Sequence, residues 1–267
     1  MRAETRHQLK TDRFTRTTIG VAEATAHWSV EHKSKIITGA VLAVVVVAAV
    51  AGTWYYIGRQ DDKANLELSQ AVRMLGTPVR SAGTPETPNI PSFASAQGRA
   101  EAAKKQLQAV VDKYPHTHTA DVARYLLGTT AVELGDNATA ERELKEVASS
   151  YNKDLSALAK LALASYYANT NRTKEALDLY KQLMDKPTDT VSKVMAQLQL
   201  AALYESSQQP AEAKRMYEQI VKENPKTEAE SLAQARLQNL KYVSQSSLPG
   251  GKQKAHPQGW AFSEEFA

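Results

Sequence analysis

Between Ile36 and Gly58 the chain carries no charged residue for 23 positions, and the middle of that run, 40–51, is almost entirely Ala, Val and Leu. Coiled as a helix the run is about 34 Å long, enough to cross a hydrocarbon core of about 30 Å with slight tilt. The pattern predicts one membrane span. Beyond it, polar and apolar positions fall into helical periodicity. In 64–75, Leu68, Val72 and Leu75 stand at i, i+4 and i+7, the stripe of an amphipathic helix that can carry the span outward. Between Gly76 and Ser95, Pro78, Pro85, Pro88 and Pro91 forbid a regular helix, so a loop or insertion is predicted. From Ala96 to Val243 helical segments follow one another, broken at Tyr114-Pro115, Gly135-Asp136, Asn169 to Arg172, Lys186-Pro187, Gln209-Pro210 and Asn224-Pro225. From Gln245 the chain is polar and contains Gly and Pro. The predicted organisation is a basic segment 1–35, a span 36–58, a first external helix with a Pro-rich loop 59–95, a helical domain 96–243 and a flexible tail 244–267.

The helical domain repeats itself. A small residue, a large one four positions on and an aliphatic one three further recur as Ala103/Leu107/Val110, Ala140/Leu144/Val147, Ala176/Tyr180/Leu183 and Ala213/Tyr217/Ile220, with the alanines 37, 36 and 37 residues apart. Ahead of the last three lies a second helical motif: Leu127-Gly128 then Ala131, Leu163-Ala164 then Tyr167, and Leu200-Ala201 then Tyr204. A unit that buries its apolar face only against the next unit repeats in this way. The segment from Glu230 to Val243, with Leu232, Ala235, Leu237 and Leu240, reads as the helix that caps such an array.

Charge changes the picture at the membrane. Residues 1–35 hold seven Lys and Arg against four acids, whereas 59–267 hold 26 against 25. By the positive-inside rule the first 35 residues stay in the cytoplasm and the helical domain lies outside, with Trp54, Tyr55 and Tyr56 at the level of an interfacial aromatic belt. A cleaved signal peptide is the competing reading, since Ala49-Val50-Ala51 precedes Gly52. The long basic segment and the apolar run that continues to Ile57 fit the anchor better. The nearly neutral domain offers no electrostatic footprint for a phosphate backbone, so no nucleic acid is expected as a partner. With no Cys there is no disulfide, thiolate metal site, cysteine nucleophile or acylated lipoprotein anchor.

These paired helices resemble the tetratricopeptide repeat, whose signature is a large–small pair and an aromatic in the first helix, then Ala, an aromatic and a closing Pro in the second. The resemblance covers 96–243 and is best from Val194 to Pro225; the first full unit departs from it with Ala131 and Leu144 in place of aromatics. It implies an all-α fold: an α-solenoid of about three to four helix-turn-helix repeats with a capping helix, preceded by one transmembrane helix. It also implies that ligands lie along the first helices, at positions matching Val122, Tyr125, Thr129, Glu133; Leu158, Leu161, Ser165, Asn169; Met195, Leu198, Ala202 and Ser206. Of these, Tyr125, Thr129, Leu161, Ser165, Leu198 and Ala202 are the expected partner contacts, an apolar face suited to an extended or helical segment. Only Asn169 matches the family's carboxylate-clamp residues. The alternative is that Tyr125, Leu161 and Leu198 belong to the core.

No phosphate loop, dinucleotide fingerprint, zinc-protease or serine-hydrolase motif is present, so neither catalysis nor a cofactor or small-molecule substrate is expected. His116-Thr117-His118 reads as a solvated loop rather than a metal site. In the tail, Trp260, Phe262 and Phe266 beside Glu264 and Glu265 form a candidate docking motif, with an unstructured terminus as the alternative. The stretch 18–32, with Ile19, Val21, Trp28 and Val30, suits a membrane-surface helix or a plain tether.

A basic cytoplasmic segment, one span and an external repeat array together are similar to the bacterial family of ancillary SecYEG translocon subunits and cell-division coordinators. That likeness implies an inner-membrane scaffold whose periplasmic repeats contact translocon subunits, secretory chains or periplasmic chaperones. A scaffold for cell-envelope assembly or division, unrelated to translocation, shares every feature and stays open.

Overall fold

In the computed structural model the described residues are 33–81, 83–85 and 91–246, and they fall in two compact units, Met1–Asp62 and Lys63–Ala267. The first helix, α1, runs over Lys33–Leu75 and crosses from one unit into the other. Within the first unit it is apolar all round. Val41, Leu42, Val44, Val47 and Val50 are all exposed and no described side chain of the apolar window is buried, so the helix is long and apolar enough to cross a membrane, and among the described residues nothing covers it.

Among the described residues the second unit holds the last turns of α1 and eight further helices: α2 (Ala96–Lys113), α3 (His118–Glu133), α4 (Asn137–Ala148), α5 (Lys153–Asn169), α6 (Thr173–Asp185), α7 (Lys193–Ser206), α8 (Pro210–Glu223) and α9 (Glu228–Ser246). Their starts are chemically marked. Side chains of Ser95, Thr117, Asp136, Asn152 and Ser192 accept hydrogen bonds from first-turn amides of α2, α3, α4, α5 and α7, and Pro210 opens α8. Between α3 and α4, α5 and α6, and α7 and α8 the turn is the same left-handed cap. Gly135, Asn171 and Gln208 take φ of 71°, 59° and 56°. The following amides then reach back over the helix end: Asp136 N to Ala131 O at 2.9 Å, Arg172 N to Tyr167 O at 2.8 Å and Gln209 N to Tyr204 O at 2.8 Å.

Each helix packs on its neighbours in sequence from α2 to α9. The core is continuous but built locally. α2 and α3 share Leu107, Val110, Ala123 and Leu127 with α1; α6 and α7 share Tyr180, Leu183, Ala196 and Leu200 with α5; α8 and α9 share Ala213, Tyr217, Ile220 and Ala233 with α7. The first helices also meet one another, α3 with α5 and α7 with α9, and among the described residues the second helices make no comparable contact. The first helices therefore form the tighter, inner layer of the array.

Three details refine or differ from expectation. On α1 the inward row is Ala64, Leu68 and Ala71, while Val72 is 48% exposed. This row packs against α2, and Lys113 and Tyr114 both bond to Glu67, so the last turns of α1 serve as the first helix of a pair whose second helix is α2. The Pro-rich segment between them is an insertion with its ends tied together: Arg80 N donates to Phe93 O at 2.8 Å and Phe93 N to Pro78 O at 3.0 Å. On α9, Ala233, Leu237 and Leu240 face α8, whereas Leu232 and Ala235 turn outward. The cause is the helical period, which cannot bring four such closely spaced residues onto one face.

Candidate protein-binding face

A first helix in the middle of this array is used on two sides. One side carries Ala123/Leu127, Ala159/Leu163 or Ala196/Leu200. Another side carries the small residues within the first helix, Gly128, Ala164 and Ala201, and a Cβ on Gly128 would meet Leu144 Cγ of α4 at 2.7 Å. Between those sides runs a third stripe, and all twelve residues of the expected ligand row lie on it. None of the twelve is buried. Val122, Tyr125, Thr129, Leu158, Leu161, Ser165 and Leu198 are half-buried; Glu133, Asn169, Met195, Ala202 and Ser206 are exposed.

The apolar members lean on the core with their flanks. Tyr125 of α3 and Leu158 and Leu161 of α5 border one cluster; Val122 and Tyr125 border Val147, Leu155 and Ala159; Leu198 borders the last cluster with Ala201 and Tyr217. Packing against the core and partial exposure thus coexist in the same side chains. Burial pushes the Tyr125 phenol up from its ordinary range, so it stays neutral. The hydroxyls of the stripe are spent internally: Thr129 Oγ1 donates to Leu126 O at 3.0 Å, and Ser165 Oγ lies 3.2 Å from the Tyr180 hydroxyl. Glu133 is the only charged member. The face is therefore apolar and uncharged over its central part.

The ionic networks lie elsewhere and hold helix to helix. Glu143 on α4, 2% exposed, accepts from Arg124 of α3 at 3.2 Å and from Arg142 at 2.8 Å. Glu141 is held down to about 2 by Lys145 and, against a desolvation that raises it, by Arg172 and Tyr167. The Arg172 guanidinium stacks 4.0 Å from the Tyr167 ring centre. Glu223 of α8, with Gln219, Lys193 and Gln197 bonded to it, is likewise held to about 2. Sequence reading missed these pairs; the one available signal was a Glu at position 143, beside Leu144 on a face that is otherwise apolar.

Among the described residues no three His, Cys, Asp or Glu side chains converge on a metal position, and His116 and His118 are both exposed. A cavity of about 790 Å³ opens at the loop edge, lined by Ser149, Ser150, Lys153, Lys160 and Lys186 among others, away from the stripe. Trp260, Phe262 and Phe266 in the tail and the segment 18–32 lie outside the described residues.

Stacked helical hairpins with small residues where the paired helices approach and a partly exposed inner stripe define an α-solenoid repeat protein. A family model described as tetratricopeptide repeat-like domain matches residues 26–182, and a tetratricopeptide repeat model matches 195–227. The chain belongs to the tetratricopeptide repeat-like domain family, whose members are generally protein-interaction scaffolds rather than catalysts. No curated protein and no solved structure matches it.

Proposed function

We propose that this chain is a single-pass membrane scaffold of the bacterial inner membrane, with 1–35 in the cytoplasm, 36–58 in the bilayer and the repeats in the periplasm. Its inner stripe, centred on Tyr125, Leu161 and Leu198 with Thr129, Ser165 and Ala202 beside them, receives apolar segments of protein partners. Those partners are secretory chains, periplasmic chaperones or subunits of the translocon, and the scaffold joins them beside the export site. The observation that carries this reading is one chain with both an uncovered apolar helix and an uncharged, half-open apolar stripe on the inner helices. The anchor supports it by raising the concentration of the stripe near membrane partners. The process itself comes from the likeness of the architecture to the ancillary translocon family, which is a weaker warrant than a site.

Photo-crosslinking from Leu161 in intact membranes, with exposed Lys174 on α6 as the comparison position, tests both parts. Translocon subunits, chaperones or nascent secretory chains trapped from Leu161 and not from Lys174 are the expected result. Division or envelope-assembly proteins alone would keep the scaffold and remove translocation. Equal products from the two positions, or none from Leu161, would remove the stripe as the binding face.

A further inference from the structure

The last helix continues the inner stripe. Its inward row, buried Ala233 with half-buried Leu237 and Leu240, follows Ala196, Leu200 and Leu203 of α7 by 37 residues each, as those follow Ala159, Leu163 and Tyr166 of α5. The same interval sets Leu232 and Ala235 in the ligand-row register of Met195 and Leu198. Leu232 is 45% exposed and Met195 40% exposed. On the side where a second helix would pack, α9 instead carries the exposed Gln238 and Lys241. The cap thus ends the core with polar residues and still adds a fourth helix to the apolar row, Val122, Leu158, Met195 and Leu232.

That fourth helix is also where the remaining chain departs. Twenty-one residues follow Ser246; near their start lies Pro249-Gly250-Gly251, a composition that favours chain reversal, and near their end Trp260, Phe262 and Phe266. We infer that the aromatic terminus of this chain occupies its own stripe, across Leu232, Met195 and Leu158, as an internal competitor for the partner segments. The reach suffices. From the end of α9 back to Leu232 is roughly 21 Å of helix, and each further helix adds about 8–10 Å sideways. The nine residues from Gly251 to Trp260 span up to roughly 30 Å when extended, which brings Trp260 as far as α5. Phe262 and Phe266 then fall within reach of the neighbouring row positions. A short tether supplies an effective concentration on the order of 1 mM, so even a contact with a dissociation constant of about 0.1 mM is closed roughly ten times in eleven.

The inference rests on the proposed stripe but needs no partner, so its test stands apart from the crosslinking. The full chain with Trp28→Phe and Trp54→Phe leaves Trp260 as the only tryptophan. In detergent its emission is expected to be blue-shifted and independent of protein concentration. Leu232→Lys or Met195→Lys, at half-exposed positions, is expected to shift it to the red without changing helical circular dichroism. A peptide of residues 256–267 should bind the chain ending at Ser246 about tenfold more tightly than the full chain. Red emission that neither lysine alters, or equal peptide affinity for both chains, overturns the inference. Emission that moves to the blue only as concentration rises overturns it in favour of docking between two copies.

Discussion

Gly128 gives the most stringent test of the pairing register, because one methyl group there pulls in two directions. A Cβ at this position lies 2.7 Å from Leu144 Cγ and 2.9 Å from its Cδ2, and Leu144 is fully buried. Ordinary carbon contacts are about 3.5–4.0 Å, so in Gly128→Ala the leucine retreats by roughly 1 Å into packed neighbours. Overpacking of that kind costs about 1–3 kcal/mol. Against it, Ala in place of Gly inside a helix returns about 1 kcal/mol. The expected net is a loss of about 1 kcal/mol, a fall of roughly 2–4 °C in Tm for a chain this size. With Leu144→Ala in the background the obstacle is gone, and the same substitution should then raise stability by about 1 kcal/mol. Thermal and urea melts of the four full-length chains in detergent, followed by circular dichroism, measure both arms. If Gly128→Ala stabilises equally with and without Leu144, α3 and α4 do not meet as described.

The pair turns make a second prediction: Gln208→Gly should raise stability by about 1 kcal/mol and Gly135→Gln lower it by a similar amount, since both positions hold the left-handed conformation. Opposite shifts in urea midpoint are the expected readout. Ala176→Trp should cost about 1–3 kcal/mol, because Ala176 is fully buried in the central cluster; an unchanged Tm would refute its placement. Acid should destabilise the array in a defined window. Lys145, then Arg172 and Tyr167, hold Glu141 at about 2; Lys104 and Thr139 hold Asp136 at about 2; Gln219, Lys193 and Gln197 hold Glu223 at about 2. Each folded value lies below the unfolded 4.5 or 3.8, so the stabilisation is complete above those values and is lost as pH falls toward 2. Tm should be flat down to about pH 5 and then drop, and Glu141→Gln should flatten part of that drop.

The array was legible in the sequence because close helix approach demands small residues at fixed places, and Ala103, Ala140, Ala176 and Ala213 recur with almost constant spacing. What escaped was the first helix of the first pair. Its inward row is Ala64, Leu68 and Ala71 with Leu75 packed beside it; of the expected stripe only Val72 faces outward, but a row built on two alanines does not stand out by hydropathy as a repeat helix. The tied insertion from Pro78 to Phe93 then separates that helix from α2 and breaks the interval on which repeat recognition depends. The stripe was placed by register alone. Its half-buried state was not legible, since a residue's lean against the core depends on how far neighbouring helices stand apart.

The departures of the first full unit from the usual pattern have a common physical cause. In the later pairs Ala164 shares a cluster with Tyr180, and Ala201 with Tyr217. In the first, Gly128 faces Leu144. A tyrosine presents a flat ring whose γ carbon is unbranched in the third dimension, so it can slide past a neighbouring Cβ; leucine branches at Cγ, and it is that atom which stands 2.7 Å from the place of the missing methyl. At this hairpin Leu144 therefore leaves room for no side chain at 128, and the two unusual residues compensate one another. The glycine within α3 is thus matched to the shape of its partner across the hairpin, and the register it fixes places Tyr125 and Thr129 on the inner stripe.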